Sequence, residues 1–243
     1  AHITNNATGA ILWTLENPTP QSNDSFGWVV DICESYAIVG SQAMEEAYVY
    51  DLSDGSLLYT LSGGDAGNDF AYSVAINEDY AVVGAPKQSE SSGTVYVFGM
   101  TDGVLDHTKT NENSYGTGVS DFFGWDVVLS DTYFAVGAYN EDTAAHVNLG
   151  VVYVYDLSTA TLQHTIVGPD TWTTTAVDQD FGSAMAMTDT HLVVGSYVED
   201  SASSFSSGGA YLFDMGTGNL IVSIANPAID PASAWFGYSV AIT

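Results

Sequence analysis

The chain has 243 residues, of which 46% are hydrophobic and 12% aromatic, and its 30 acidic residues outnumber 2 basic ones, for a formal net charge of −28. This composition predicts a folded chain, and it excludes nucleic acids and anionic membrane surfaces as partners, because phosphate recognition requires clustered Lys and Arg. Unpaired carboxylates are tolerated best at high ionic strength, where the Debye length is roughly 8 Å or less. We therefore expect an extracellular location, either secreted or on a cell or virion surface.

Two further features bound the interpretation. Cys33 is the single cysteine, so an intrachain disulfide is excluded. No apolar run approaches the roughly 18 residues of a membrane-spanning helix, and no signal peptide is visible, so we expect no membrane insertion. The first residue is Ala1 and not Met, which favours a processed chain or an excerpt of a longer one.

The first predicted element is a strand within residues 7–15, and a repeated motif follows it along the rest of the chain. A Phe-Gly pair, or a close copy, recurs at intervals of roughly 50 residues. The copies are Phe26-Gly27, Phe70-Ala71, Phe123-Gly124, Phe181-Gly182 and Phe236-Gly237. A Val-Gly pair stands at the same distance after each of the first four Phe residues: Val39-Gly40, Val83-Gly84, Val136-Gly137 and Val194-Gly195. A constant spacing within a variable period indicates a rigid hairpin with variable loops.

Each unit reads as four short antiparallel strands. Between the Phe and the Val-Gly, period-two alternation predicts two strands, as in 73–76 and 80–83. A third strand follows a variable loop, and a turn such as Asp54-Gly55 leads to a fourth, because Gly accepts the positive φ of hairpin turns. The predicted repeats cover approximately 26–61, 70–109, 123–166 and 181–224, with 7–15 and 236–243 as strands of a further unit.

Four antiparallel strands in each repeat of this length are typical of a β-propeller blade, so the sequence predicts an all-β propeller as a single domain, or part of one, over residues 1–243. A β-sandwich would not repeat its own motif four times, and the period-two pattern excludes helical solenoids. Four full repeats and one split repeat do not predict a self-contained ring. Either the chain is part of a longer propeller, or neighbouring chains complete it.

These residues carry a family resemblance. Phe70 followed by Val-Gly-Ala-Pro at 83–86 resembles the FG-GAP repeat of propellers similar to integrin α-chains. The variant Gly-Ala-Tyr-Asn-Glu-Asp at 137–142 is similar to repeats in surface proteins of marine bacteria and virion proteins of their phages. The resemblance implies a propeller fold and a role in adhesion, scaffolding or surface recognition. Some members carry a calcium loop between the first two strands, but the equivalent turns here, such as 77–79, are too short to wrap a cation.

Recurrent acidic residues offer a different cation site. If loops of adjacent repeats meet on one face, their carboxylates would form a shallow site for a divalent ion such as Ca²⁺, and the alternative is a solvated acidic rim. The candidate ligands are Glu141, Asp142, Glu199, Asp200, Asp178 and Asp180. No other cofactor is expected.

Aromatic residues are the second candidate feature. The repeated Phe residues are expected to pack between sheets, together with Trp28, Tyr72, Trp125 and Tyr238 two positions further on. Aromatic residues outside this register lie in loops, where they could stack on sugars or anchor a protein partner. These candidate binding residues are Trp172, Tyr139, Tyr197 and Phe205.

No catalytic residue is predicted. His107 and His164 share a position that Trp13 and Tyr59 occupy in other repeats, which indicates packing, and no His or Cys pair has the spacing of a zinc site. The sequence therefore favours a non-catalytic extracellular propeller that recognises a protein or a glycan. One alternative is a self-assembling structural protein with sheets completed between chains. The other is a glycan-active enzyme that uses Asp31 and Asp126.

Overall fold

The computed structural model describes residues 1–112, 119–143, 147–169, 179–198, 207–227 and 235–243. Within these ranges it has eighteen strands and two short helical turns, Gln42–Met44 and Gln88–Ser91. The all-β prediction is therefore confirmed. In this part of the chain, no helix has the length and hydrophobicity needed to cross a lipid bilayer.

The strands form one two-stranded sheet and four four-stranded sheets. The two-stranded sheet contains β1 (His2–Thr4) and β2 (Ile11–Thr14). Sheet 1 contains β3 (Phe26–Ile32), β4 (Tyr36–Ser41), β5 (Glu46–Asp51) and β6 (Leu57–Ser62). Sheet 2 contains β7 (Ser73–Ile76), β8 (Tyr80–Ala85), β9 (Thr94–Gly99) and β10 (Leu105–Thr110). Sheet 3 contains β11 (Val127–Leu129), β12 (Tyr133–Ala138), β13 (Val151–Asp156) and β14 (Leu162–Val167), and sheet 4 contains β15 (Ala184–Met187), β16 (His191–Ser196), β17 (Gly209–Asp214) and β18 (Leu220–Ala225).

Each four-stranded sheet is an antiparallel meander in which every strand pairs with the next one along the chain. The two middle strands are rich in Val, Ala, Tyr and Phe, and they are buried on both faces, as in β9, where all six residues are buried. The fourth strands are largely exposed, and β18 is exposed at every residue. Near-continuous apolar runs in the middle strands therefore follow from packing between two neighbouring sheets.

The sheets pack in chain order. Leu61 of sheet 1 lies in one core with Val74 and Phe98 of sheet 2. Equivalent cores join sheet 2 to sheet 3 and sheet 3 to sheet 4. The first strand of each sheet contacts the first strand of the next, from β3 through β7 and β11 to β15. The four sheets therefore radiate from a common row of first strands.

The repeated glycine of the Val-Gly pair forms the closest approach between sheets. A Cβ atom on Gly137 would overlap the carbonyl oxygen of Gly182, which belongs to the Phe-Gly pair of the next repeat. The equivalent glycines Gly84 and Gly195 lie in the same way against the carbonyl oxygens of Gly124 and Gly237. The Val-Gly pair of one repeat and the Phe-Gly pair of the next therefore meet in one contact between backbones, which only glycine permits.

The structure differs from the prediction at both ends of the chain. Residues 7–15 contain β2, as predicted, but β2 pairs with β1, a strand that the sequence does not predict. Residues 236–243 are predicted to be a strand, whereas the structure has only an isolated bridge between Phe236 and Gly208. In each four-stranded sheet the first strand pairs with the second, and among the described strands residues 236–243 have no such partner.

Candidate binding face

The Phe-Gly motif forms a tight turn that repeats five times. The residue before the Phe and the residue after it both have positive φ, as Phe122 (56°) and Gly124 (91°) do on either side of Phe123. The amide of Trp125 then donates a hydrogen bond to the carbonyl oxygen of Phe122 (3.0 Å). A left-handed third residue is what such a four-residue turn requires, so glycine follows the Phe in four of the five copies.

In this turn the side chain of the Phe points into the protein, and the side chains of the first and fourth residues point to the surface. The central residues Phe70, Phe123 and Phe181 are buried between sheets, as predicted. The first and fourth residues of the turn are brought together at the surface. In four copies the fourth residue is aromatic, and in two copies the first is also aromatic, so one end of the sheets carries a group of rings. We define the aromatic face as Trp28, Tyr72, Phe122, Trp125, Tyr139, Tyr197, Trp235 and Tyr238.

The rings of three sheets form a continuous row. The ring centroids of Trp28 and Tyr72 are 5.9 Å apart, and those of Tyr72 and Trp125 are 4.5 Å apart. Tyr139 continues the row, 4.6 Å from Trp125 and stacked on Phe122 at 5.5 Å. These distances are those of direct aromatic contact.

A second group of rings lies at the turn of the fifth Phe-Gly pair. Tyr197 lies 5.2 Å from Tyr238 and 6.3 Å from Trp235. Burial, with smaller contributions from Tyr139, Asp69 and Tyr238, raises the pKa of Tyr72 to about 12. Tyr72 of the first group and Tyr238 of the second are the fourth residues of equivalent turns, so both groups stand at the Phe-Gly turns of the sheets. The rings at the edges are open to solvent, since Trp28 and Trp235 are each 55% exposed and Tyr238 is 64% exposed.

Carboxylates lie close to this face. Asp180 accepts a hydrogen bond from Tyr197, and burial together with this bond raises the pKa of the Tyr197 hydroxyl. Asp69 forms an ion pair with Lys87 (2.7 Å). Near Phe122, burial and the neighbouring Asp142 raise the pKa of Asp121 to about 6. The aromatic face is thus bordered by groups that accept hydrogen bonds.

One sequence prediction about these aromatic residues is wrong. Trp28, Tyr72, Trp125 and Tyr238 are predicted to pack between sheets with the Phe residues, but they lie on the aromatic face, exposed or half-buried. The positive φ of the preceding residue turns the chain between the Phe and this position, so period-two alternation does not apply across it. The turn chemistry of the Phe-Gly pair is the signal that would have placed them correctly.

The predicted binding residues divide into two groups. Tyr139 and Tyr197 both belong to the aromatic face, which joins them through Trp125 and Tyr238 to the turn residues. Trp172 and Phe205 lie outside the described residues. Their role in binding stays a prediction.

Each of the three predicted acidic ligands that the structure describes bonds to a protein group. Glu141 is fully buried and is therefore not part of an exposed rim. The Tyr153 hydroxyl donates a hydrogen bond to its Oε1 (2.6 Å). Asp142 accepts a hydrogen bond from the amide of Asn148 (2.9 Å), and Asp180 bonds to Tyr197. Glu199, Asp200 and Asp178 lie outside the described residues. Among the residues that the structure describes, no three acidic, His or Cys side chains are grouped to hold a metal ion.

Calcium binding by these loops stays a prediction. Its direct check is the melting temperature of the chain measured with Ca²⁺ and with a chelator. An ion bound only to the folded state would raise the melting temperature, by mass action. Equal melting temperatures in both conditions would exclude it.

We expect Tyr153→Phe to lower the free energy of unfolding by about 1–3 kcal/mol. The substitution removes a hydrogen bond to the buried carboxylate of Glu141. Tyr59→Phe is the matched control, because it removes a bond to the backbone carbonyl of Met100 at the half-buried edge of sheet 1. Urea unfolding of both variants at neutral pH measures the difference. Equal losses in the two variants would contradict a special role for the Tyr153–Glu141 pair.

The other candidate residues link sheets to each other. The carboxylates of Asp31 and Asp126 accept hydrogen bonds from the amides of Ile76 (2.8 Å) and Met185 (2.7 Å) in the next sheet. His164 forms a hydrogen bond through Nε2 to the carbonyl oxygen of Met215 (2.9 Å), as Tyr59 does to that of Met100. These contacts are structural links between neighbouring sheets.

Comparison with known proteins is consistent with this repeat geometry. A sequence model of the FG-GAP repeat matches residues 59–98 and 116–155. The first match runs from the last strand of sheet 1 through the turn at Phe70 to the third strand of sheet 2, and the second ends in the third strand of sheet 3. No curated protein matches the chain. FG-GAP repeats are typical of β-propeller-type domains, often in adhesion proteins, and the family is generally non-enzymatic. Residues 59–98 and 116–155 therefore carry FG-GAP repeats, in agreement with the family resemblance of the sequence.

Proposed function

We propose that the chain is a β-propeller module that acts outside the cell, without catalysis, by binding a protein or a glycan on its aromatic face. The aromatic face is the observation that carries this proposal. Eight aromatic side chains form two groups of contacting rings, of five and three members, beside the Phe-Gly turns of the sheets.

The radial packing of the sheets supports the propeller. Each sheet is a four-stranded meander, the sheets follow one another in chain order, and their first strands lie side by side. This is the arrangement of blades around a central axis. The first strands then line that axis, and the Phe-Gly turns lie together at one end of it.

The chemistry of the aromatic face supports recognition. Trp and Tyr are the residues that most often dominate binding interfaces, because they bury a large area at a low cost in conformational entropy. Their ring faces also pack against the C–H groups of sugars, while Tyr hydroxyls and nearby carboxylates form hydrogen bonds to hydroxyl groups. Exposed Trp235 and Tyr238 stack on each other at 6.2 Å, and exposed Trp28 contacts Tyr72 at 5.9 Å, so these rings are not scattered surface residues.

The carboxylates of the first strands support a role without catalysis. Asp31 and Asp126 each accept a hydrogen bond from a backbone amide of the next sheet, so both have a structural function. The excess of 30 acidic over 2 basic residues favours an environment of high ionic strength, as outside the cell.

The test is a binding screen with a pair of variants. The labelled chain is applied to a glycan microarray and to an array of cell-surface proteins. We expect Trp28→Ala and Tyr238→Ala each to weaken any specific interaction at least about tenfold, which corresponds to about 1.4 kcal/mol. Leu105→Ala is the matched control, because Leu105 is 42% exposed but lies on the outer strand of sheet 2.

Three outcomes would contradict the proposal. The first is binding that the control weakens as much as the aromatic variants do. The second is the absence of specific binding on both arrays. The third is turnover of an arrayed polysaccharide that is lost in Asp126→Asn, which would support the enzyme alternative.

A further inference from the structure

Three Phe-Gly turns at the aromatic face carry a carboxylate next to the rings. Asp69 is the first residue of the turn that ends at Tyr72, whose amide donates a hydrogen bond to the Asp69 carbonyl oxygen (3.1 Å). Asp121 directly precedes Phe122, and Asp180 is the first residue of the fourth turn. Carboxylates therefore recur with the turns from sheet 2 to sheet 4.

The hydrogen bonds to two of these carboxylates do not neutralise them. The Asn111 amide donates a hydrogen bond to Asp121 Oδ2 (2.8 Å), and the Tyr197 hydroxyl donates one to Asp180. Both donors are uncharged groups. The whole sequence has two Lys and no Arg against 30 acidic residues, so few carboxylates can pair with a basic side chain of the same chain. The rings of the aromatic face therefore stand in a negative electrostatic field.

Burial keeps solvent from screening this field. Asp121 and Asp180 are 5% and 8% exposed, and the Asp69 side chain is 14% exposed. A carboxylate at the edge of the protein interior acts through a lower effective dielectric constant than one in water, so it attracts a nearby cation more strongly. The faces of Trp and Tyr rings add to this attraction through their quadrupole.

The two lysines of the chain illustrate the chemistry. Lys109 Nζ lies 3.1 Å from Glu112 Oε1 and 4.8 Å from the centroid of the Tyr155 ring, so one ammonium group contacts a carboxylate and an aromatic ring together. Lys87 Nζ lies 2.7 Å from Asp69 Oδ2, at the border of the aromatic face. Both contacts are shorter than the Debye length of about 8 Å at physiological salt, so they persist under those conditions.

We propose that the ligand of the aromatic face is a protein segment rich in Lys and Arg, whose cationic groups lie against the rings of Tyr72, Trp125 and Tyr139. This inference rests on the proposed function, and it selects a basic protein over a glycan. The net charge of −28 accelerates the encounter with a basic partner by electrostatic steering, and it repels acidic ligands. A neutral sugar stacks on rings but gains nothing from the net charge.

Three labelled peptides of equal length, in which Ser alternates with Lys, with Gln or with Glu, are the probes for the 243-residue chain. We expect fluorescence anisotropy to detect binding of the Lys peptide alone, with an affinity that falls as salt is added. Binding of the Gln peptide as tight as that of the Lys peptide would overturn the proposal.

Ring variants separate the aromatic face from the general negative charge of the chain. Trp125→Leu and Tyr139→Leu keep every carboxylate, and each should weaken binding of the Lys peptide about fivefold, because the cation–π attraction is lost. Trp125→Phe keeps an aromatic ring and should retain most of the affinity. Melting temperatures of the three variants show that they are folded.

Tyr80→Leu is the matched control. Tyr80 lies at the opposite end of sheet 2, where it borders a cavity of about 560 Å³. Five carboxylates line that cavity: Asp79, Asp102, Asp106, Asp131 and Asp156. Tyr80→Leu should leave the affinity for the Lys peptide unchanged. An equal loss in Tyr80→Leu, or no loss in Trp125→Leu and Tyr139→Leu, would mean that charge alone attracts the peptide, and the proposal would be refuted.

The arrays of the binding screen distinguish failure of this inference from failure of the proposed function. A glycan, or a protein without a basic segment, that loses affinity in Trp125→Leu would refute the basic partner and leave recognition by the aromatic face intact. The absence of a specific ligand on both arrays, together with no binding of the Lys peptide, would refute both.

Discussion

Replacement of Gly137 by Ala is expected to lower the free energy of unfolding by about 3 kcal/mol or more. The new Cβ is fixed directly to the backbone of residue 137, and it would overlap the carbonyl oxygen of Gly182, which is itself a backbone atom. No rotamer change relieves such a contact. Sheets 3 and 4 would have to move apart, which would loosen the packing of Phe181 and Val152 in their common core.

Gly216→Ala is the matched control for this substitution. A Cβ on Gly216 would meet only Asp214 Oδ1, at 3.5 Å, and we expect its effect on stability to stay within about 0.5 kcal/mol. Urea unfolding monitored by Trp fluorescence measures both variants. Similar stabilities of Gly137→Ala and the wild-type chain would mean that the Val-Gly glycine does not join the sheets.

Asp126→Asn is expected to stabilise the chain at pH 8 by about 2–4 kcal/mol and to have little effect at pH 4. Burial raises the pKa of Asp126 to about 7, whereas an aspartate in an unfolded chain titrates near pH 3.9. The Asn side chain retains an oxygen that accepts the hydrogen bond from the amide of Met185.

The sign follows from proton linkage. The folded chain binds the proton of Asp126 more tightly than the unfolded chain does, so the stability that this proton contributes is complete below about pH 4 and is lost as the pH rises to 7. Asp121, whose pKa burial raises to about 6, acts in the same direction. Asp156 and Asp214 act in the opposite direction below about pH 4, because hydrogen bonds from Thr159 and Thr217 lower their pKa values. Both are partly exposed, and solvent screening makes their effect on stability weak.

Unfolding curves of the wild-type chain and the variant between pH 4 and pH 8 measure this prediction. Their stabilities should diverge as the pH rises. Asp106→Asn is the control, because Asp106 is exposed on the outer strand of sheet 2. Parallel pH profiles for the wild-type chain and Asp126→Asn would show that Asp126 does not titrate in this range.

Local sequence determines the sheets of this protein. Alternating side chains in 73–76 and 80–83 predict the hairpin of sheet 2, and the structure has it at those positions. A strand and its hairpin partner are close in the sequence, so their pairing depends on side-chain period and turn residues, both of which can be read directly. The family resemblance has the same basis, because the Phe-Gly and Val-Gly pairs stand at a constant distance in each repeat.

The residues of the aromatic face cannot all be predicted from the alternation of side chains along the strands. Tyr139 and Tyr197 are identifiable as aromatic residues outside the repeat register. Their neighbours Trp125 and Tyr238 stand two positions after a repeated Phe, and this spacing predicts, wrongly, that they pack in the core. The turn between Phe123 and Trp125 has positive φ at Gly124, which redirects the chain, so a two-residue spacing no longer means the same face. Glu141 is likewise an acidic loop residue in the sequence, and the structure shows that it is buried and accepts a hydrogen bond from the Tyr153 hydroxyl.

The sequence by itself determined the strands of the four four-stranded sheets, their order within each repeat and the repeat family, because these features depend on residues less than one repeat apart. The tertiary structure alone decided which surfaces meet. The contact of Gly137 with Gly182, the link from Asp126 to Met185 and the ring contact of Tyr72 with Trp125 all join residues from different repeats. Their physical reason is the same in each case: stacked sheets bring equivalent positions of separate repeats into contact, and no local pattern in the chain specifies the distance between them.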